Sequence, residues 1–248
     1  MGSFFCDALS DTHDVAVYDY DPARLKYTFG CRRFRSLNEV DEFEPQLVIN
    51  AVTIKYTINA FRAVLPHLPD SCIISDIASV KTGLPEFYAA CGHPFASSHP
   101  MFGPTFASLS NLAFENAIVI SEGDYLGRIF FRDFYSSLGL NIREYTFEQH
   151  DSVTAYSLSI PFASTLAFAS VIEPQDAPGT TFKRHMAIAQ GLMSEDDYLV
   201  SEILFNPNSP SKIDRIIEQL SVLKRIIANR DSAAMAEYLA TVRENIKS

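Results

Sequence analysis

Over residues 1–146 the chain alternates short apolar runs with segments whose apolar residues recur at helical spacing. Phe4, Phe5, Ala8 and Leu9 share one helical face and predict a helix over residues 1–10. Residues 14–19 predict a strand that ends in Asp19, 24–27 a short helix, 31–34 a short strand, and 36–43 a short helix capped by Ser36. Residues 46–52 and 71–76 are apolar on both sides and predict buried strands. The helix between them is stopped near Leu65 by Pro66 and Pro69. After Asp76 come a polar turn, a helix and a short strand that delivers His99, then strands over 116–121 and 141–146 around a helix over 124–137. Strands without a polar face, alternating with helices, indicate an α/β fold: a mainly parallel sheet covered on both sides.

From Phe147 onward no strand pattern returns. The boundary is therefore expected there, with an α/β domain over 1–147 and an all-helical domain over 148–248. Residues 150–171 are apolar nearly all round, and Pro161 should kink the helix they form. That much apolar surface exceeds the needs of one small domain and predicts a partner subunit. Thr180 or Thr181 is expected to cap the next helix, which runs through Ala189. A further helix starts at residues 194–197 and is broken at 206–210. Ile213, Ile216, Ile217, Leu220, Leu223 and Ile227 form a helical stripe, and Leu239, Val242 and Ile246 mark a last helix after Asp231.

Composition narrows the function classes. At 47% hydrophobic and 20% charged residues the 248-residue chain reads as globular. The near-apolar stretch 160–172 is too short and too polar for a bilayer, which needs ~20 apolar residues, and residues 1–11 lack the basic and apolar regions of a secretory signal. A net charge of −10 argues against nucleic acid as a partner. Cys6, Cys31, Cys72 and Cys91 lie far apart with no C-x-x-C pair, so no metal site is expected and the thiols suit a reducing cytoplasm.

Two features point to a dinucleotide. In a doubly wound dinucleotide fold a G-x-G-x-x-G turn aims a helix N-terminus at the pyrophosphate, and an acid ~20 residues on binds the ribose 2′-hydroxyl. Gly2 stands where the third glycine would be, beside Ser3, and Asp19 lies at about the right distance. The pattern implies that the first strand and two glycines are missing, which should leave two strand edges unpaired. Taken singly, Gly2 reads as loop filler and Asp19 as a turn acid.

The candidate chemistry sits between residues 75 and 105. Two strand ends deliver Ser79 and His99 to one edge of the sheet, where ligands bind in open α/β folds. A histidine titrates near ~6.5 and can take a proton at neutral pH, and Ser79 can orient its ring. Alone, the pair is also compatible with His99 capping a loop. Ser79 lacks a nucleophile elbow, which disfavours a hydrolase.

Asp76-Ile77-Ala78-Ser79-Val80-Lys81, followed by Ser98-His99-Pro100-Met101-Phe102-Gly103-Pro104, resembles the paired signature of prephenate and arogenate dehydrogenases, and His150-Asp151 also matches. The resemblance covers essentially the whole chain. It implies a Rossmann-like NAD-binding domain followed by an all-α dimerisation domain, in a cytoplasmic homodimer of tyrosine biosynthesis. It implies NAD-dependent oxidative decarboxylation of prephenate to 4-hydroxyphenylpyruvate, with arogenate the alternative substrate. His99 would accept the 4-hydroxyl proton, and Ser79 would orient it and touch both ligands. Gly2, Ser3, Asp19, Ala51, Val52, Thr53 and Ser79 would hold NAD. His150, Thr105 and a cation for the carboxylates would hold the substrate. That cation is Lys183 by ungapped register or Arg184 by its bidentate fork, although Lys183-Arg184-His185 also reads as a solvated basic turn. Phe162 stands where many relatives carry a second histidine.

Two further readings compete. A different β-hydroxyacid-type dehydrogenase would leave the H-P-M-F-G turn unexplained, and a truncated or regulatory homologue would account for the missing glycine turn.

Overall fold

The computed structural model describes residues 1–102, 112 and 114–247. The chain divides into two compact units, Met1–Asp151 and Ser152–Ser248.

The first unit opens with helix α1 (Gly2–Leu9), strand β1 (Ala16–Val17), a 3-10 turn over Pro22–Tyr27, strand β2 (Arg32–Arg33) and helix α2 (Asn38–Phe43). Strand β3 (Leu47–Asn50), helix α3 (Thr57–Val64), strand β4 (Ile73–Asp76), helix α4 (Leu84–Ala90) and strand β5 (Phe95–Pro100) follow. Strand β6 (Asn116–Ile120), helix α5 (Tyr125–Ser137) and strand β7 (Asn141–Tyr145) complete the sheet region. Asp124 caps α5 by accepting the amides of Leu126 and Gly127. Ser36 is not the cap of α2: Leu37 holds that place, and the Glu39 carboxylate instead accepts the amides of Arg35 and Ser36.

Strands β3 to β7 form one sheet in chain order, with every pair parallel except β5–β6. β1 and β2 pair separately. Among the described residues, the two-stranded sheet is open at β1 and β2 and the five-stranded sheet at β3 and β7.

Side chains alternate across the pleat. Ala117 and Val119 of β6, with Ala96 of β5, meet Phe5 and Leu9 of α1 and Phe131, Phe134 and Tyr135 of α5. Ile118 and Ile120, with Ile74 of β4, meet Phe61 of α3 and Leu84 and Tyr88 of α4. The sheet is therefore covered on both faces, which explains why its strands show no polar face in the sequence. Gly127 lets α5 lie close: a Cβ there would stand 2.7 Å from the Ala96 Cβ and 3.1 Å from Ile73 Cγ2.

Helix α6 (Phe147–Thr154) continues through a π-helical turn over Ala155–Ser159 into α7 (Ile160–Ser170). Pro161 has no N–H for the carbonyl four residues back, and the helix widens directly before it. The continuous helix Phe147–Ser170 is long and apolar enough to cross a membrane by length and composition.

The second unit also holds α8 (Thr180–Leu192), α9 (Asp197–Leu204), α10 (Ser209–Asn229) and α11 (Ser232–Asn245). Gly179, not a threonine, is the N-cap of α8, and Thr180 is its first residue. α7 packs against α8, α9 and α10. In its buried interior the Ser209 hydroxyl donates to Ser159 Oγ at 2.8 Å, and Ser159 donates to the Ile203 carbonyl at 3.0 Å. α7 itself buries no residue, and Val171, Ile188, Phe205, Ile217, Leu220 and Ile227 are all exposed. The architecture is a Rossmann-like doubly wound, mainly parallel sheet followed by an all-α unit.

Candidate active site

β4 and β5 run parallel, with Asp76 opposite Ser97, so their C-terminal ends share one edge of the sheet. At that edge three buried polar networks adjoin one another. Asp76 and Lys81 are fully buried, and Lys81 Nζ donates to Asp76 Oδ1 at 2.5 Å and to the Ser98 carbonyl at 2.7 Å. Tyr88 Oη donates to Asp76 Oδ2 at 2.7 Å, and the Ala78 amide donates to Oδ1 at 2.9 Å. The carboxylate is thus met by one cation and two neutral donors, which makes its burial tolerable. Burial pushes the Lys81 ammonium below its ordinary range, against the opposing pull of Asp76. Next along β5, Ser98 Oγ and Tyr135 Oη share a hydrogen bond of 2.8 Å.

His99 forms the third network. Its Nδ1 lies 3.0 Å from His150 Nε2, and His150 Nδ1 lies 3.1 Å from Asp151 Oδ1. His99 is 5% exposed and His150 0%. Burial first, then His150, then the Lys81 charge hold His99 well below its ordinary 6.5, so the ring is neutral at physiological pH. Burial also lowers His150, while the neighbouring Asp151 pulls the other way.

The other predicted residues fall in several places. Ser79 is half-buried in the turn after β4, and among the described residues it makes no hydrogen bond to His99; His150 holds the ring. His150, expected at the substrate, has both ring nitrogens engaged inside the protein and no exposed surface. This contact joins residues 51 positions apart, and the adjacent His-Asp pair was its only sequence signal. Lys183 and Arg184 are exposed on the first two turns of α8. Thr105, with Gly103 and Pro104, lies outside the described residues.

The nucleotide candidates all lie within the first unit. Gly2 opens α1, with no acid in the first turn, and its first helical bond runs from the Phe5 amide to the Met1 carbonyl. The amides of Gly2 and Ser3 thus precede that bond, and a helix N-terminus of this kind suits a phosphate. A Cβ on Gly2 would meet the Ala51 Cβ at 3.6 Å, so the start of α1 and the end of β3 are neighbours. Val52 and Thr53 are exposed there. Asp19 follows β1 and is half-buried, and its Oδ1 accepts the Asp21 amide at 2.9 Å. A donor-bearing helix start, an apolar strand end and a carboxylate form a set that fits a dinucleotide's pyrophosphate and ribose.

Residues 9–121 match the family described as the prephenate dehydrogenase nucleotide-binding domain. Among curated proteins, the "Probable arogenate/prephenate dehydrogenase" of Methanocaldococcus jannaschii is 21% identical over 217 residues, covering 82% of this chain and 48% of that protein. The "T-protein" of Enterobacter agglomerans is 25% identical over 173 residues, covering 66% of this chain and 45% of that protein. The chain thus spans about half the length of these curated relatives. Among solved structures, Aquifex aeolicus prephenate dehydrogenase in complex with hydroxyphenyl propionate and NAD+ superposes with a TM-score of 0.83 at 21% identity, over 100% of this chain and 94% of that one. Synechocystis arogenate dehydrogenase gives 0.77 at 15% identity, over 99% of this chain and 94% of that one. The Asp76–Lys81 and Ser98–Phe102 signatures lie in order within the matched residues 9–121, and over its whole length the chain is similar in fold to prephenate and arogenate dehydrogenases.

Proposed function

We propose that the chain catalyses the NAD-dependent oxidative decarboxylation of prephenate to 4-hydroxyphenylpyruvate. The observation that carries this reading is the buried, neutral His99 at the end of β5, braced through Nδ1 so that Nε2 is the nitrogen left for a ligand. Nε2 takes the proton of the substrate 4-hydroxyl as general base. The C4 hydrogen leaves as hydride, the ring C–C bond to the carboxylate breaks, and its electron pair enters the ring as carbon dioxide departs. Aromatisation drives the sequence, so the protein has to position the reactants and relieve the hydroxyl of its proton. When bound, the nicotinamide supplies the hydride acceptor.

Gly2 and Ser3 hold the pyrophosphate, Asp19 the ribose, and Ala51, Val52, Thr53 and Ser79 line the remainder of the cofactor. Asp19 selects NAD, because a carboxylate repels the 2′-phosphate of NADP. Lys183 or Arg184 supplies the cation for the substrate carboxylates. The exposed apolar residues of the second unit support a homodimer formed through its helices.

The test is NADH formation by the chain with prephenate and with arogenate, beside His99→Asn. Turnover with prephenate that collapses in His99→Asn while substrate still binds supports the reading. Turnover with arogenate alone moves the assignment to that substrate. Absence of turnover with both substrates overturns the enzyme reading in favour of a regulatory homologue.

A further inference from the structure

We propose that His150 and Asp151 form a positioning pair behind His99 that fixes its tautomer and receives the proton it collects. This rests on the reading of His99 as the general base.

The tautomer follows from one group that can only accept. The Asp151 carboxylate has no proton to offer, so the bond to His150 Nδ1 requires that this nitrogen carry the hydrogen. A neutral His150 then has its lone pair on Nε2. The 3.0 Å contact to His99 therefore requires that His99 Nδ1 be the donor. A neutral His99 is left with its lone pair on Nε2, the form a base needs. Nothing in the chain of bonds allows the opposite tautomer while Asp151 is ionised.

The same geometry gives the proton somewhere to go. When the substrate O–H bond breaks and a bond to His99 Nε2 forms, His99 becomes a buried cation near the Lys81 ammonium. Its Nδ1–H bond can then break as the proton passes to His150 Nε2. The positive charge comes to rest beside Asp151, whose side chain is 32% exposed and offers an outlet to solvent.

The surrounding charges favour that direction. His99 is faced by His150 and Lys81, both of which oppose its protonation. His150 is faced by Lys81, which opposes protonation, and by Asp151 and Asp76, which favour it. His150 therefore contacts no substrate and acts through His99.

The experiment uses the full chain with 15N-labelled histidine. Ring-nitrogen NMR of the parent should show His99 protonated on Nδ1. In Asp151→Asn the new amide can donate to His150 Nδ1 as well as accept from it, so the parent tautomer is no longer enforced and His99 protonated on Nε2 should become populated. The kcat of this variant should fall on the order of 10⁴-fold, as in a wrong-tautomer histidine, with little change in KM. His150→Gln still accepts from His99 Nδ1 but cannot hold a proton. It should keep the His99 tautomer, fall between the parent and Asp151→Asn in kcat, and shift the acid limb of the pH profile.

A parent spectrum with His99 protonated on Nε2 overturns the proposal, even where a variant fails to fold. So does an Asp151→Asn chain whose tautomer and kcat match the parent. The predicted tautomers in a chain that turns over neither prephenate nor arogenate would support the pair and overturn the proposed reaction instead.

Discussion

Lys81→Met is the substitution that most directly tests how the sheet edge beside His99 is held. Lys81 has no exposed surface, and its ammonium serves two acceptors, Asp76 Oδ1 at 2.5 Å and the Ser98 carbonyl at 2.7 Å. Methionine keeps the volume and removes both donations. Asp76 retains the Tyr88 hydroxyl and the Ala78 amide but loses its only countercharge in this network. Removing one member of a buried ion pair costs about 3–5 kcal/mol, because an uncompensated charge stays behind. For a chain of this size each kcal/mol moves Tm by about 2–4 °C, so the expected drop is about 6–20 °C. Asp76→Asn combined with Lys81→Met removes both charges and should recover most of the loss. Thermal unfolding followed by circular dichroism reads both outcomes. A single variant within about 2 °C of the parent (less than the shift for one kcal/mol) would refute the reasoning, as would a double variant no better than the single.

Three further outcomes are expected. Gly127→Ala gains about 1 kcal/mol of helix propensity but drives a methyl to 2.7 Å from the Ala96 Cβ, and overpacking of about 1–3 kcal/mol should leave it with a lower urea midpoint than the parent. Burial lowers both His99 and His150, so below about pH 6.5 the unfolded chain binds more protons than the folded one, and stability should fall as pH drops through that value; in His99→Asn the fall should be smaller, and equal slopes would remove His99 from the linkage. Asp19→Ser should narrow the gap between NAD and NADP in kcat/KM, and an unchanged ratio would dissociate Asp19 from the ribose.

Strand and helix order was legible because it depends on burial of whole segments, which local pattern records. Continuously apolar runs such as Val48–Ile49 and Ile73–Ile74 identified β3 and β4 without any view of the fold. What the sequence hid is the pairing of polar atoms across distance. Phe95 to Pro100 reads as a polar segment, FASSHP, yet Ser98 and His99 are buried because Tyr135, Lys81 and His150 reach them from other elements. β6 runs antiparallel to β5, and hydrophobic patterning carries no such direction. Ser79 was expected to orient the His99 ring because two strand ends meet at one edge; among the described residues a histidine from α6 bonds Nδ1 of that ring. Caps were missed where Gly179, without a side chain to bond, stands at the start of α8, and where Glu39 reaches back to the Arg35 and Ser36 amides ahead of α2.

The placement of these buried polar groups bears on function more than on stability. Well-packed apolar residues in place of a buried ion pair are often neutral or stabilising, so Asp76, Lys81 and Tyr88 are not needed to make this sheet cohere. They do tie the Ser98 carbonyl, one residue before His99, to the turn that carries Ser79. A general base has to be both neutral and fixed in direction, and these requirements conflict in water, where a histidine is half protonated near ~6.5 and free to rotate. Burial satisfies the first requirement by disfavouring the imidazolium, but an unpaired buried ring would be costly. The His150–Asp151 bonds satisfy the second and offset that cost, and they place the Asp151 carboxylate two rings away from His99 Nε2, the nitrogen proposed as the base. A carboxylate bonded directly to His99 would raise its proton affinity and favour the protonated form before substrate arrived. An intervening neutral imidazole transmits the orientation without that penalty, which is why a histidine rather than an aspartate suits the position behind His99.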